Sequence, residues 1–204
     1  MNVRVVVVSI ALLAGLSAAA VLSTAHAQTR PETAAETVVY EVDPVHSAII
    51  FRIKHLGVSH FYGRINGPYG EFRFNPDDAG QCALDVKVKA KNVDTNNPNR
   101  DGHIKSADFL NASQFPEITF KSTAFTPSGD RTYKVTGDLT LHGVTKRITV
   151  ELEHVGTAEI PRFGHRCGFS TTFTVSRSDF GVSFMPQGLG DDVTLMIGLE
   201  GKKK

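Results

Sequence analysis

Eight histidines and two cysteines are the side chains of this chain best suited to bind a metal or to carry acid–base and redox chemistry. His55 and His60 flank residues 56–59, L-G-V-S, a composition typical of a turn. Two histidines in one loop can share a metal ion, but no carboxylate or cysteine pattern completes a site beside them. We therefore predict structural or surface roles for the histidines and no metal site.

Sequence motifs of common enzyme active sites are absent. The chain contains no G-x-S-x-G, H-E-x-x-H, C-x-x-C or G-x-x-x-x-G-K-[ST], the patterns of serine hydrolases, zinc proteases, dithiol redox sites and phosphate-binding loops. Residues 179–181 spell D-F-G, a kinase magnesium motif, but no other kinase motif accompanies them. We interpret that match as coincidence and predict that the protein is not an enzyme and requires no cofactor.

A second group of polar residues surrounds the one segment with helical periodicity. Ile104, Ala107 and Leu110 recur at helical spacing within residues 101–111, which predicts a short helix. If the chain folds as a barrel and this helix lies across its opening, the polar residues near the helix would surround that opening and form a polar mouth. They could then contact the polar head group of a ligand bound inside. The candidates for such a polar mouth are His55, Arg100, His103, Asp108 and Arg177.

The elements that would position these residues are β-strands. Ile49, Phe51 and Ile53 occupy every second position, and the polar residues Arg52 and Lys54 occupy alternate positions in the same segment. Such alternation is typical of an antiparallel sheet with one wet face, and it recurs about eight or nine times between turn signals. Because closure removes the exposed edges of so long a sheet, we predict an all-β antiparallel barrel of eight strands with one short helix near its mouth.

An eight-stranded barrel has an interior that either is filled by side chains or holds one small ligand. The residues predicted to face the barrel interior are mostly Ile, Val, Leu and Phe, and the chain has 13 Phe and no Trp. This composition favours an apolar interior without indole N–H groups that need a hydrogen-bond partner. Composition alone favours a packed core over a cavity. The residues predicted to line a cavity are Ile49, Phe51, Ile53, Phe72, Phe74, Val86, Val88, Phe120, Leu139, Phe169, Phe173 and Leu195.

The N-terminal segment is typical of a cleavable signal peptide. Arg4 precedes a long uncharged apolar stretch that ends at A-H-A, residues 25–27, the small-x-small pattern at which signal peptidase cleaves. This predicts removal of residues 1–27, a periplasmic protein and no stable membrane anchor after cleavage. A membrane-spanning anchor is the less favoured alternative, because the cleavage pattern stands where processing would occur.

One domain is predicted after cleavage. We assign residues 28–37 to a flexible N-terminal arm, residues 38–201 to the barrel and residues 202–204 to a basic tail. Arg4 is the single charged residue in the segment removed, so the mature chain carries 21 basic and 21 acidic groups. This balance argues against nucleic acid as a partner, because nucleic-acid binding needs a concentrated basic surface. Whether the barrel forms a homodimer is left open.

Cys82 and Cys167 are the two cysteines of the chain. In an oxidising compartment an isolated pair is more often joined than free, which favours a disulfide between them. The alternative is a pair of small buried thiols that behave as apolar side chains.

Several segments resemble the YceI-like family. The most specific are R-D-x-H-I-K-S-A-D-F-L-N at residues 100–111 and G-D-L-T-L-H-G-V-T-K at residues 137–146. Further similar stretches occur around residues 46–57, 93–96, 115–120, 178–181 and 190–191. The resemblance runs in order from Tyr40 to Glu200 and so covers nearly all of the predicted mature chain. Cys82 and Cys167 are not part of the pattern.

This resemblance implies a secreted or periplasmic lipocalin-like barrel that encloses an amphiphile, often a polyisoprenoid or isoprenoid quinone, without a catalytic set. It reverses the preference for a packed core. The apolar tail would then supply the affinity, at about 0.8 kcal/mol for each buried carbon, and the polar mouth the selectivity. A lipid carrier or reservoir is the favoured role. A stress-protective sink for lipophilic small molecules and an accessory to quinone-linked electron transfer are the alternatives.

Overall fold

The computed structural model describes residues 35–204, which form eleven β-strand segments and one α-helix. The predicted signal peptide lies outside the described residues. No helix within residues 35–204 combines the length and apolar character that crossing a membrane requires. The segments are β1 (Val38–Val42), β2 (Ala48–His55), β3 (Ser59–Ile65), β4 (Tyr69–Phe74), β5 (Ala83–Lys89), β6 (Val93–Asp94), α1 (Pro98–Lys105), β7 (Glu117–Gly129), β8 (Thr132–Leu141), β9 (Val144–Ile160), β10 (Gly164–Ser176) and β11 (Leu189–Lys203).

These segments form one closed antiparallel barrel of eight strands. Three of the eight strands each consist of two segments. Segments β1 and β2 lie along the same edge of β11. Next to β1 come β4 and then β5, and next to β2 come β3 and then β6. Strands β7 to β11 follow in chain order, and the pairing of β1 with β11 closes the ring. The predicted eight-stranded antiparallel barrel with a short helix is confirmed, and the β1–β11 pairing covers the edges that those two strands would expose in an open sheet.

One end of the barrel is filled by a cluster of buried side chains. Phe169 packs edge-on against Phe72 and Phe74, with ring centroids 5.3 Å and 5.1 Å away, a geometry that aromatic rings favour. The other buried members of this cluster are Tyr40, Val42, Cys82, Leu84, Tyr133, Val135, Val150, Leu152, Cys167 and Leu199. This part of the barrel, the filled end, is a packed core.

Phe72, Phe74 and Phe169 were predicted to line a cavity, and that prediction is wrong. All three are almost completely buried and pack against one another in the filled end. The prediction that these side chains point into the barrel is correct, but strand alternation shows only the face of the sheet from which a side chain projects. It carries no information about depth along the barrel axis, and depth decides whether an inward residue meets a neighbour or open space.

Cys82 and Cys167 are free thiols, both buried in the filled end, so the favoured disulfide is wrong. The alternative of two small buried thiols is the one observed. The Cys82 thiol donates to the carbonyl oxygen of Asn75 at 3.4 Å. Burial raises the pKa of the Cys167 thiol to about 11 and also raises that of Cys82.

We expect neither thiol to react with Ellman's reagent in the native protein. The thiolate is the reactive species, and burial disfavours it and blocks access to it. Reaction after unfolding in guanidinium without reductant should release two equivalents of the coloured product, one for each thiol. Failure to release them would reveal a disulfide, whereas rapid reaction of the native protein would contradict the burial of both thiols.

Helix α1 begins and ends earlier than predicted. The side chain of Asn97 accepts a hydrogen bond from the backbone N–H of Arg100 at 3.0 Å, and Pro98 occupies the first helical position; both are strong start signals. Ser106 leaves the helical conformation, so Ala107 and Leu110 lie in the turns that follow. Their spacing resembled that of a helix because successive tight turns place apolar residues on one side at similar intervals.

Both predicted ends of the domain are more ordered than expected. Lys202 and Lys203 belong to β11 and lie opposite Glu41 and Tyr40 of β1, so the predicted basic tail is wrong for these two residues. At the other terminus, the backbone N–H of Ala35 donates to a carboxylate oxygen of Asp77 at 2.7 Å. The last residues of the predicted flexible arm are therefore bonded to the barrel, while residues 28–34 lie outside the described residues.

Candidate ligand-binding cavity

The barrel end opposite the filled end encloses a cavity of about 540 Å³, a volume within the range of small-molecule sites. Nine of the twelve predicted lining residues border it. These nine are Ile49, Phe51, Ile53, Val86, Val88, Phe120, Leu139, Phe173 and Leu195. Leu84, Val150, Leu152 and Leu199 border both the cavity and the filled end. The cavity therefore ends on the packed core.

Loops contribute lining residues that the sequence analysis missed. Ile104, Phe109 and Leu110 come from α1 and the turns after it, and Met185 and Leu189 come from the loop before β11 and its first residue. The turns after α1 are closed by the hydrogen bond from the N–H of Leu110 to the carbonyl of Ile104, 3.0 Å long. Strand parity cannot identify such residues, and the apolar spacing at 104–110 was the available signal.

Four of the five predicted mouth residues border the cavity: His55, Arg100, His103 and Arg177. Asp108, which was predicted to lie at the polar mouth with them, does not border the cavity. Its carboxylate lies 2.7 Å from Nε2 of His103 and so faces the imidazole rather than the cavity. Asp108 therefore affects the mouth only by orienting His103.

Arg100 is held above the wall of the cavity by the segment before α1. Its Nε donates to the Thr95 hydroxyl at 2.8 Å, and its Nη2 donates to the Thr95 carbonyl at 2.7 Å. The centre of its guanidinium lies 4.5 Å from the ring centroid of Phe61, a cation–π distance. Because the Thr95 N–H is in turn bound by the Asp101 carboxylate at 2.8 Å, the guanidinium has a fixed position near the mouth.

Arg177 is a buried cation that organises the loop beside the mouth. Its Nη1 donates to the carbonyls of Phe184 at 2.7 Å and Val182 at 3.1 Å. Its Nε donates to the Gly190 carbonyl at 2.9 Å. The guanidinium therefore ties the loop over residues 181–188 to β11, and its charge contributes to the potential at the cavity.

An aromatic group closes part of the mouth. His103, Phe109 and Phe184 contact one another edge-on, with ring centroids 5.0 to 5.3 Å apart. His103 comes from α1, Phe109 from the turns after it and Phe184 from the loop that Arg177 anchors. These contacts join the two sides of the mouth.

The ionisable side chains that border the cavity are all basic. Within residues 35–204, no Asp or Glu lines it. The basic and titratable residues that border it are His55, His60, Lys87, Arg100, His103 and Arg177. Lys87 and His60 lie at outward-facing positions of their strands, and Lys87 pairs with Asp85 at 3.7 Å. The permanent charges that remain are the guanidinium groups of Arg100 and Arg177, at the mouth. An apolar chamber with a cationic mouth suits an apolar tail that ends in an oxygen-bearing head group.

One cluster outside the cavity has donor atoms of the types that bind metals. Asp43, His46 and Glu200 place one ligand atom each within 4.8 Å of one another. Nη1 of Arg166 lies between the two carboxylates, 2.8 Å from Asp43 and 3.3 Å from Glu200. Because a guanidinium already occupies the position that a cation would take, we assign this cluster a structural role at the corner between β1 and β2.

The ion pairs of this cluster make stability depend on pH in two directions. The hydrogen bond from His46, supported by Arg166, lowers the pKa of Asp43 well below its ordinary value. That contribution is complete above about pH 4 and is lost as the pH falls through the depressed pKa. The same hydrogen bond raises the pKa of His46. Its contribution is complete below about pH 6.5 and is lost as the pH rises through the raised pKa.

We expect Asp43→Asn to lower the free energy of unfolding most between about pH 4 and pH 6.5, as measured by urea denaturation across the acid and neutral range. The difference from the wild type should shrink on both sides of that window. In His46→Gln the loss at high pH should disappear, while the loss at low pH should become smaller and persist through Arg166. A difference that is independent of pH in both variants would contradict this assignment.

Comparison with known proteins agrees with the fold and with the sequence resemblance. Residues 40–201 match the YceI-like domain. A UPF0312 protein of Vibrio parahaemolyticus is 40% identical over 166 residues, which cover 81% of this chain and 87% of that protein. The crystal structure of the Campylobacter jejuni YceI protein is 34% identical, has a TM-score of 0.66, and the match covers 74% of this chain and 90% of that one.

A more distant structure shares the fold alone. It is a polyisoprenoid binding domain from Saccharophagus degradans, 14% identical with a TM-score of 0.64, and the match covers 82% of this chain and 99% of that domain. Because the YceI-like match spans almost the whole barrel and the relatives are matched over most of their length, this chain belongs to the YceI-like family.

Proposed function

We propose that this protein binds an amphiphilic lipid, a polyisoprenoid or an isoprenoid quinone, and carries or stores it in the periplasm. The observation that carries the proposal is the apolar chamber of about 540 Å³ with the guanidinium groups of Arg100 and Arg177 at its mouth. The name of the Saccharophagus degradans domain as a polyisoprenoid binding domain supports the choice of ligand. The signal-peptide pattern of residues 1–27 supports export.

The division of the barrel assigns different parts of the ligand to different residues. An apolar tail would contact Phe173, Leu195 and their neighbours, and its far end would meet the residues that border the filled end, such as Leu152. Burial of the tail would supply most of the affinity but little selectivity, since one methylene discriminates weakly. The head group would lie near Arg100 and His103. This arrangement supports a binding role.

The proposal can be tested on protein purified from the periplasm of its native host. Native mass spectrometry would detect a bound molecule, and organic extraction would then allow its identification. We expect one class of co-purified isoprenoid lipid or quinone. Equal binding of unrelated apolar molecules would favour the stress-protective sink instead. A protein that is empty and also fails to take up added quinone would refute the proposal.

We expect Arg100→Gln to weaken binding of an isoprenoid quinone about tenfold while leaving an isoprenoid hydrocarbon of equal length unaffected. A hydrogen bond from a charged donor contributes about 1.5–3 kcal/mol, and only the quinone has oxygen atoms to accept one. Isothermal titration of both ligands would measure the difference. Lys87→Gln is the matched control, because Lys87 is directed outward toward Asp85. An equal loss for both ligands would contradict the role of Arg100.

A further inference from the structure

Two loops beside the cavity mouth expose apolar side chains to solvent. In the turn between β2 and β3, Leu56 is 55% exposed and Val58 is 84% exposed, and Phe184 and Met185 are exposed in the loop before β11. The N–H of Leu56 donates to the carbonyl of Gly188 at 2.7 Å, which joins the two loops. We call Leu56, Val58, Phe184 and Met185 the apolar rim. It borders the mouth directly, because Met185 also lines the cavity.

The backbone at two rim residues is in a conformation that apolar side chains avoid. Leu56 has φ +49° and Met185 has φ +55°, in the left-handed region that favours Gly, Asn and Asp. The other non-glycine residues with positive φ in the described chain are all polar: Asn96, Asn111, Arg131, His142 and Arg162. Neither rim side chain gains full burial in return. Local strain of this kind is characteristic of functional contact points.

The hairpin that carries half of the rim is basic. Residues 44–70 contain no Asp or Glu, and the outward face of β2 and β3 bears Arg52, Lys54, His60 and Arg64. Lys54 and His60 lie directly opposite each other in the pairing of the two strands. Arg64 makes an ion pair with Asp94, which β6 contributes. An apolar tip on a basic hairpin is complementary to a bilayer surface, which presents phosphates above hydrocarbon.

We propose that the apolar rim inserts into the surface of a bilayer containing anionic lipid, while the basic face of β2 and β3 contacts the lipid phosphates. The contact is reversible and peripheral. This proposal rests on the proposed function, because the role of docking would be to let a lipid pass between the bilayer and the cavity without exposing its tail to water. A bilayer accounts for both the apolar tip and the absence of acidic residues from the hairpin that carries it, and the tip lies where the cavity opens.

Vesicle flotation would test this docking surface directly. The wild-type protein should float with vesicles of phosphatidylcholine and phosphatidylglycerol, less with phosphatidylcholine alone, and less again as salt is raised. The double variant Leu56→Asn, Val58→Ser should lower the bound fraction about tenfold. Asn suits the left-handed position of Leu56, so this variant should unfold at the same or a higher temperature than the wild type. Loss of binding would then not reflect loss of folding.

Phe163→Ser is the matched control. Phe163 is 59% exposed, close to the value for Leu56, but it lies in the turn between β9 and β10, beyond the filled end. This variant should bind vesicles as the wild type does. Equal binding by the rim variant and the wild type would overturn the proposal, as would failure of the wild type to bind either vesicle. A concentration-dependent dimer that the rim variant abolishes would also overturn it, because the rim would then contact a second copy of the chain.

Uptake of quinone dispersed in detergent separates this proposal from the proposed function. The rim variant should take up dispersed quinone normally and accept it from vesicles more slowly than the wild type. If the wild type takes up quinone but ignores vesicles, docking fails and the binding function stands. If it binds vesicles through the rim but takes up no quinone, docking stands and the binding function fails.

Discussion

Replacing Ile53 with Glu is expected to lower the affinity for an isoprenoid quinone at least about hundredfold. Ile53 projects from β2 into the cavity, between Phe61 of β3 and Val193 of β11 in the strand pairing. A carboxylate there would hold water in the chamber, and an apolar tail could enter only by displacing that water, which costs several kcal/mol. Titration with quinone, or displacement of a fluorescent lipid, would measure the loss.

The control for this prediction lies on the same strand. Ile50 is 40% exposed on the outer face of β2, so Ile50→Glu adds the same charge to the same strand without entering the chamber. It should bind quinone with an affinity close to that of the wild type. Circular dichroism would show that both variants are folded. If the two variants lost affinity equally, the chamber would not be the binding site.

The second large effect is expected at Phe169, where substitution with Ala should lower the free energy of unfolding by about 3–5 kcal/mol. Phe169 is 2% exposed and contacts Phe72 and Phe74 in the filled end. Truncation would leave a void among side chains that cannot close around it. Urea denaturation would measure the loss, and quinone affinity should change little as long as the protein remains folded.

Phe173→Ala provides the contrast, four residues further along the same strand. Phe173 borders the cavity, so truncation enlarges an existing space instead of creating a new one, and the loss of stability should be clearly smaller than for Phe169→Ala. Its effect on quinone affinity should be the larger of the two. Equal losses of stability would contradict the division of the barrel into a filled end and a chamber.

Strand alternation predicted the barrel and most of its lining because the side-chain period of a strand is set by backbone geometry. Ile49, Phe51 and Ile53 point inward for that reason alone, and the structure agrees. Position along the axis depends on pairing register, which arises from contacts between distant segments. Phe169 and Phe173 are therefore equivalent in the sequence pattern and different in the structure.

The remaining errors have a similar physical origin. The frequency of disulfides in an oxidising compartment says nothing about whether two particular thiols meet, and Cys82 and Cys167 remain free. Asp108 was placed at the mouth by its nearness in sequence to His103, yet its carboxylate binds the imidazole. Met185 was not predicted at all, because it reaches the cavity from a loop whose course depends on the hydrogen bonds of Arg177.

The filled end makes the chamber a blind tube. Since Phe72, Phe74 and Phe169 occupy that end, a tail must leave by backing out along the path by which it came in, and a second molecule cannot push the first one through. Each methylene withdrawn into water costs about 0.8 kcal/mol, which lengthens the residence time about fourfold. Dwell time should therefore rise geometrically with chain length until the tail reaches the floor of the tube, and further carbons should then add nothing.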